Sequence, residues 1–137
     1  MTGQNRTINR EKWQLADFEA RLEKSGTIAS QVFQRFRYLL QVRSIYSAFH
    51  PFGEQQMIMG NSAVFALLRI SPSGSDKIFC LHNVSAEAQI FTVDPDAINS
   101  RGKLHDLLSD ERFPDEGLQW KITLRPYQVR WLHFTLD

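Results

Sequence analysis

The chain has 137 residues, 42% hydrophobic and 23% charged, which is the make-up of one ordinary globular domain or two very small ones rather than of a disordered segment. A formal net charge of +1 offers no basic field to gather nucleic acid, and Arg35, Arg37 and Arg43 fall on different sides of one predicted helix. Cys80 is the only cysteine, so a disulfide framework and a cysteine-rich zinc site are excluded and a reducing cytoplasm is expected; a polar start and no run approaching about 18 apolar residues point away from a leader peptide or a membrane span.

Residues 1 to 8 read as an irregular lead-in, and Asn9 is placed to cap a helix from Arg10 to Lys24 that Ser25-Gly26 ends. Leu15, Phe18 and Leu22 give it one modest apolar stripe near Trp13, with Asp17 and Arg21 spaced to pair on the outer face. Thr27 caps a longer helix expected to run until Pro51 disfavours the helical conformation at His50. That helix carries two apolar stripes. Ile28, Ala29, Val32, Phe33, Phe36, Leu39, Leu40 and Tyr46 fill the broad one, and Tyr38, Val42, Ile45 and Phe49 recur at i, i+4, i+7 and i+11 as the second. A surface helix needs one stripe, so two predict a helix packed between two bodies, with Tyr38, Val42, Ile45 and Phe49 as the candidate interface.

After Pro51 the apolar period changes from 3.6 to 2, which sets the expected boundary between residues 1–50 and 51–137. Strands are expected at Gln56 to Met59, Ala63 to Ile70, Lys77 to Val84 and Gln89 to Val93, the middle two joined as a hairpin through the Ser/Pro/Gly-rich turn at 71–76. Residues 97 to 117 read as a polar connection around Leu104, Leu107 and Leu108. Leu118, Trp120, Ile122 and Leu124 alternate with polar residues, Pro126 interrupts, and Tyr127 to Phe134 forms the last strand. The expected fold class is therefore α+β, two N-terminal helices followed by a small antiparallel all-β sandwich.

The residues that carry chemistry are sparse. The four histidines stand apart without metal-ligand spacing, Cys80 sits between Phe79 and Leu81 as a small buried hydrophobe, and no phosphate loop or nucleophile elbow is present. No catalytic residue, metal or cofactor is assigned. Paired carboxylates suit glycoside hydrolysis only when held across a cleft, whereas Asp94, Asp96, Asp110, Glu111, Asp115 and Glu116 read as solvated loop charge. Asp106, beside an apolar patch, is expected to bind loop backbone. Trp120, Tyr127 and Trp131 are the aromatic candidates for stacking on sugar, but all three lie on the apolar phase of strands, which favours core packing.

Five segments in order are similar to the C-terminal end of the α-amylase superfamily, in the branch of sucrose phosphorylase and related glucosyl phosphorylases. They are Arg6-Thr7-Ile8-Asn9-Arg10, Leu40-Gln41-Val42-Arg43 with Ala48-Phe49-His50-Pro51, Cys80-Leu81-His82-Asn83-Val84-Ser85, Asp106-Leu107-Leu108-Ser109, and Leu124-Arg125-Pro126-Tyr127-Gln128-Val129-Arg130-Trp131-Leu132. The resemblance implies that residues 1–50 end a β/α catalytic barrel and residues 51–137 form the all-β domain behind it. It also implies that the aspartate nucleophile and glutamate acid/base of a retaining transfer lie upstream of Met1, so that this chain alone is inactive. Arg6 matches the first arginine of a loop that reaches hydroxyls of the bound glucosyl unit. The implied parent binds sugar and phosphate and needs no metal or other cofactor, and the implied partner is the missing barrel or a second copy of the chain. Two other readings stay open, an autonomous carbohydrate-binding sandwich and an oligomerisation or regulatory domain.

Overall fold

The computed structural model describes residues 13–96, 98–100, 102–113 and 119–135, and Arg6, Asn9 and the expected first turn at 10–12 lie outside them. The chain divides into compact units of residues 1–41 and 42–137, a division inside the long helix rather than at the 50/51 change of period. In the first unit α1 (Leu15–Glu23) buries none of its residues. The expected Asp17/Arg21 pair is not made: the Arg21 guanidinium lies 3.9 Å over the Trp13 ring, a face that offers the cation a partner close to its own turn. Gly26, at φ +82°, ends the turn, and Thr27 caps α2 (Ile28–Ile45) as expected, its Oγ1 accepting from the Ser30 N–H at 3.2 Å.

The long helix stops earlier than its apolar pattern suggested. Tyr46 is extended (φ −96°, ψ 123°), and Ser47–Phe49 forms a separate 3-10 turn, η1. A continued α-helix would keep the Ala48 N–H for its own ladder; here that N–H is captured by a carboxylate from the turn between β2 and β3, Asp76.

Among the described residues eight strands follow: β1 (Glu54–Met57), β2 (Val64–Ile70), β3 (Lys77–Asn83), β4 (Gln89–Val93), β5 (Lys103–Asp106), β6 (Arg112–Phe113), β7 (Trp120–Leu124) and β8 (Val129–Thr135). All pair antiparallel, in a six-stranded sheet of order β1-β2-β3-β8-β5-β6 and a two-stranded sheet β4-β7. The β2–β3 hairpin forms as predicted. The region read as a polar connection contains β5 and β6, whose four and two residues are too short to show an alternation. β7 and β8 belong to different sheets, and the chain crosses between them through Pro126 and Tyr127, the latter left-handed at φ +55°.

Alternation along the strands sorts the apolar residues onto two faces. Inward, Val64, Ala66, Leu68, Phe79, Leu81, Leu104 and Leu132 meet Phe91, Val93, Trp120, Ile122 and Leu124 of the smaller sheet. Outward, Ile78, Cys80 and Leu107 pack against Val42, Ala48 and Phe49, with Tyr46, Leu67 and Trp131 at the margin. β3 is thus apolar on both sides, each buried large side chain contributing roughly 1.5–3 kcal/mol.

Between η1 and β1 the backbone of Gly53 passes so close to β2 that a Cβ there would collide with the Ile70 carbonyl oxygen and stand 3.1 Å from that of His50. Gly53→Ala is therefore expected to lower stability by about 1–3 kcal/mol, read as a reduced urea midpoint at unchanged slope; a midpoint equal to that of the parent chain would show that the crossing relaxes freely.

Candidate protein interface at the helix exit

The turn that leaves α2 is held at both ends by side chains of the sheet. Asp76, at the end of the 71–76 turn, accepts from Ser47 Oγ (2.9 Å) and from the Ala48 N–H (2.8 Å) with Oδ2, and its Oδ1 lies 2.9 Å from His133 Nε2 on β8. Arg69, buried on β2, donates from Nε to the Ala48 carbonyl (3.2 Å) and from Nη2 to the His50 carbonyl (2.9 Å). A carboxylate thus meets the orphan N–H at the start of the turn and a guanidinium meets the orphan carbonyls at its end, each charge matched to the local dipole. The Phe49 ring consequently lies 4.7 Å from Trp131, and Tyr46 packs edge-on to His133 at 4.9 Å.

This clamp divides the four residues of the second stripe. Val42 and Phe49 are buried in the outer cluster of the β unit, whereas Tyr38 and Ile45 are 47% and 74% exposed. Of the broad stripe, Ile28, Val32, Phe33, Phe36 and Leu40 are exposed as well. Arg69 and Asp76 were not singled out from the sequence. The available signal was an arginine inside the apolar run Leu67-Leu68-Arg69-Ile70, where a buried cation needs acceptors.

The other candidate residues have structural surroundings. Asp106, fully buried, accepts from the N–H groups of Leu108 (3.2 Å) and Trp131 (3.1 Å), from Ser109 Oγ (2.7 Å) and from Arg130 (2.9 Å), so the expected backbone-binding role is met. Arg130 also reaches Glu111 at 2.6 Å and the Thr123 carbonyl at 3.2 Å, tying the β5–β6 turn to β7 and β8. Asn83, the acceptor of a glycosylation sequon, is buried with its amide donating to the carbonyls of Glu87 and Arg125, which leaves it no access to a modifying enzyme. Among the described residues no group of three His, Cys, Asp or Glu is placed to hold a metal ion. A cleft of about 330 Å³ is lined by Lys103, Leu104, His105, Arg112, Phe113 and Thr135, a set without the carboxylates that glycoside chemistry requires. Of the three aromatic candidates, Trp120 is buried and Trp131 is half-buried against Phe49; Tyr127 alone is well exposed, so they form no common platform.

Burial pushes the Cys80 thiol up to about 12, outweighing the opposing pull of Arg69 and Arg43, so the thiol stays protonated and unreactive. Burial also lowers His82 from its ordinary 6.5, between the apolar cross-strand neighbours Phe65 and Val129.

Residues 55–131 match the family model described as "Maltogenic Amylase, C-terminal domain", which covers more than half of the chain. The chain belongs to this family. Among curated proteins it is similar to glucosylglycerate phosphorylase of Spirochaeta thermophila, 34% identical over 96% of this chain and 23% of that protein. The enzyme of the same name from Escherichia coli is 30% identical over 95% of this chain and 21% of its own length. The chain therefore spans between a fifth and a quarter of these relatives, and the kinship with α-amylase superfamily phosphorylases holds over nearly all of it. Among solved structures, an Anoxybacillus α-amylase aligns with a TM-score of 0.68 at 12% identity over 78% of this chain and 23% of that one. AmyP in complex with maltose aligns with a TM-score of 0.62 at 22% identity over 69% and 18%. At such identities these two show a common fold, the antiparallel sandwich of this family's C-terminal domain.

His82 makes the β unit sensitive to acid. Because its folded value is depressed, the unfolded chain binds more protons just below pH 6.5, and stability contributed by the neutral ring is lost as the pH falls through that value. Urea midpoints measured from about pH 7 to about pH 5 should drop, and His82→Gln should reduce the drop; an equal drop in both chains would remove His82 as the source.

Proposed function

We propose that this chain is the non-catalytic C-terminal portion of a retaining glucosyl phosphorylase, with glucosylglycerate rather than sucrose as the donor of the assembled enzyme. The observation that carries the reading is identity of 34% and 30%, over nearly the whole chain, with glucosylglycerate phosphorylases of two distant bacteria. The assembled enzyme moves a glucosyl unit from glycerate to phosphate with net retention, forming glucose 1-phosphate in the cytoplasm without a metal or other cofactor. Its nucleophile and acid/base are carboxylates of a barrel that this chain does not supply. Arg6, outside the described residues, reaches the bound glucosyl unit only when that barrel is present.

The partner is the catalytic barrel, docked on the exposed apolar side chains of α2, with Tyr38 and Ile45 in the contact. Exposed Ile28, Val32 and Phe36 support this docking, since a contiguous apolar row of that length is uncommon on a free surface. In the absence of the barrel a second copy takes its place. The carbohydrate-module reading draws no support from Trp120 and Trp131, which are packed rather than displayed.

The test is a phosphate-dependent assay for glucose 1-phosphate from glucosylglycerate. The chain alone is expected to give none, and mixing it with the separately expressed catalytic portion of the Spirochaeta thermophila enzyme is expected to raise that portion's turnover. Turnover by the chain alone, or no effect on mixing with a folded catalytic portion, would refute the proposal.

A further inference from the structure

The β5–β6 end of the six-stranded sheet holds the cleft of about 330 Å³, a size at the lower end of the range for small-molecule sites. Lys103 and Arg112 line it, and among the described residues no carboxylate does. Strand pairing brings these two cations together. Leu104 points into the inner core, so its neighbours Lys103 and His105 take the opposite phase of β5. Arg112 pairs with His105, and Thr135 with Lys103, which carries that phase onto β6 and β8. Lys103 and Arg112 are then diagonal neighbours across the β5–β6 pair, within reach of one ligand for side chains of their length.

The two arginines that tie the β unit together are used up within it. Arg69 and Arg130 are buried, their donors taken by carbonyls and, for Arg130, by the carboxylates of Asp106 and Glu111. Arg112 differs: it is exposed, and among the described residues it makes no ion pair. The acids close to it in sequence already have partners, since Glu111 meets Arg130 at 2.6 Å and Asp110 lies 2.5 Å from His105 Nε2. Thr135 Oγ1 donates to the Lys103 carbonyl at 3.3 Å, so attraction for an anion comes from the two cations. Half-buried Phe113 gives the cleft an aromatic wall.

We infer that this cleft binds a small phosphate monoester, with Arg112 and Lys103 on the phosphate and Phe113 beside the organic body. A guanidinium fork meets two phosphate oxygens at once, and an ammonium supplies a compact charge for the third. A phosphate ester carries close to two negative charges at neutral pH and so matches both cations, whereas a carboxylate matches one. The aromatic wall favours an ester with a body over the bare ion. The inference is independent of the proposed catalytic parent, because every group it uses belongs to the β unit of this chain.

The experiment is a nitrogen-15 NMR titration of the full chain with glucose 6-phosphate, and with inorganic phosphate and glucose for comparison, all at one fixed low ionic strength. Arg112→Gln and Lys103→Gln each remove one cation of the cleft, and Arg125→Gln removes the same charge from an exposed position between β7 and β8. Circular dichroism checks that each variant folds, and having two cleft variants keeps the test decisive if one does not. The expected result is saturable shifts at the amides of Lys103, His105, Arg112 and Phe113 with glucose 6-phosphate, severalfold weaker binding of inorganic phosphate, and none of glucose. Each folded cleft variant should bind the ester at least about tenfold more weakly, and Arg125→Gln should bind as the parent chain does. No saturable shift at those amides overturns the inference, as does undiminished binding by either folded cleft variant. Equal weakening by Arg125→Gln reduces the effect to diffuse charge and also overturns it. Inorganic phosphate or glucose binding as tightly as the ester overturns the assignment of a phosphate monoester.

Discussion

The carboxylate of Asp76 and the guanidinium of Arg69 fix the turn from Ser47 to Phe49 against the sandwich. Helix ends carry unpaired N–H and carbonyl groups, and a helix entering a sheet domain must lose water from some of them. Here the exit is reduced to a three-residue turn whose N–H is met by Asp76 and whose carbonyls are met by Arg69. Satisfying those groups lets Ala48 and Phe49 be buried beside Ile78, Cys80 and Leu107. The consequences reach the middle of the sheet: β3 becomes apolar on both faces, and Cys80 changes from an ordinary thiol into an inert core residue.

A similar economy appears at the other end of the sandwich, where polar side chains bridge elements that the backbone ladders leave apart. Asp106 and Arg130 join the β5–β6 turn to β8, and Asn83 joins β3 to the loops at Glu87 and Arg125. Each is buried, and each has its donors or acceptors matched, the condition under which such groups specify an arrangement rather than weaken it. An exception is the indole N–H of Trp120, buried beside Phe134 without a hydrogen-bond partner among the described residues.

Much of this was legible in the sequence, and the failures have physical causes. The Thr27 cap, the β2–β3 hairpin and the alternation of Trp120, Ile122 and Leu124 are local signals, and local signals survive into the fold. The end of α2 was misjudged because the competing acceptor, Asp76, lies 28 residues from Ala48 in sequence, and periodicity cannot register it. β5 and β6 were missed because strands of four and two residues owe their existence to pairing with β8, not to a pattern of their own. The candidate interface was legible as a surplus of apolar positions. That Phe49 turns into the β unit depends on the break at Tyr46, which ends the helical period the sequence pattern assumed.

The relatives are four to five times the length of this chain, and within the β unit the clamp fixes the turn through which the chain enters the sandwich. The entry into the sandwich is only as firm as the turn from Ser47 to Phe49. Amide hydrogen exchange at Ala48 and Phe49 measures this firmness directly, because protection there reports whether the turn opens separately from the sheet. In the parent chain these amides should exchange as slowly as those of Phe79 and Leu81 on β3, and Asp76→Ala should accelerate the turn while leaving β3 protected. Exchange at Ala48 as fast as at the exposed Gly74, with Asp76 intact, would contradict the account.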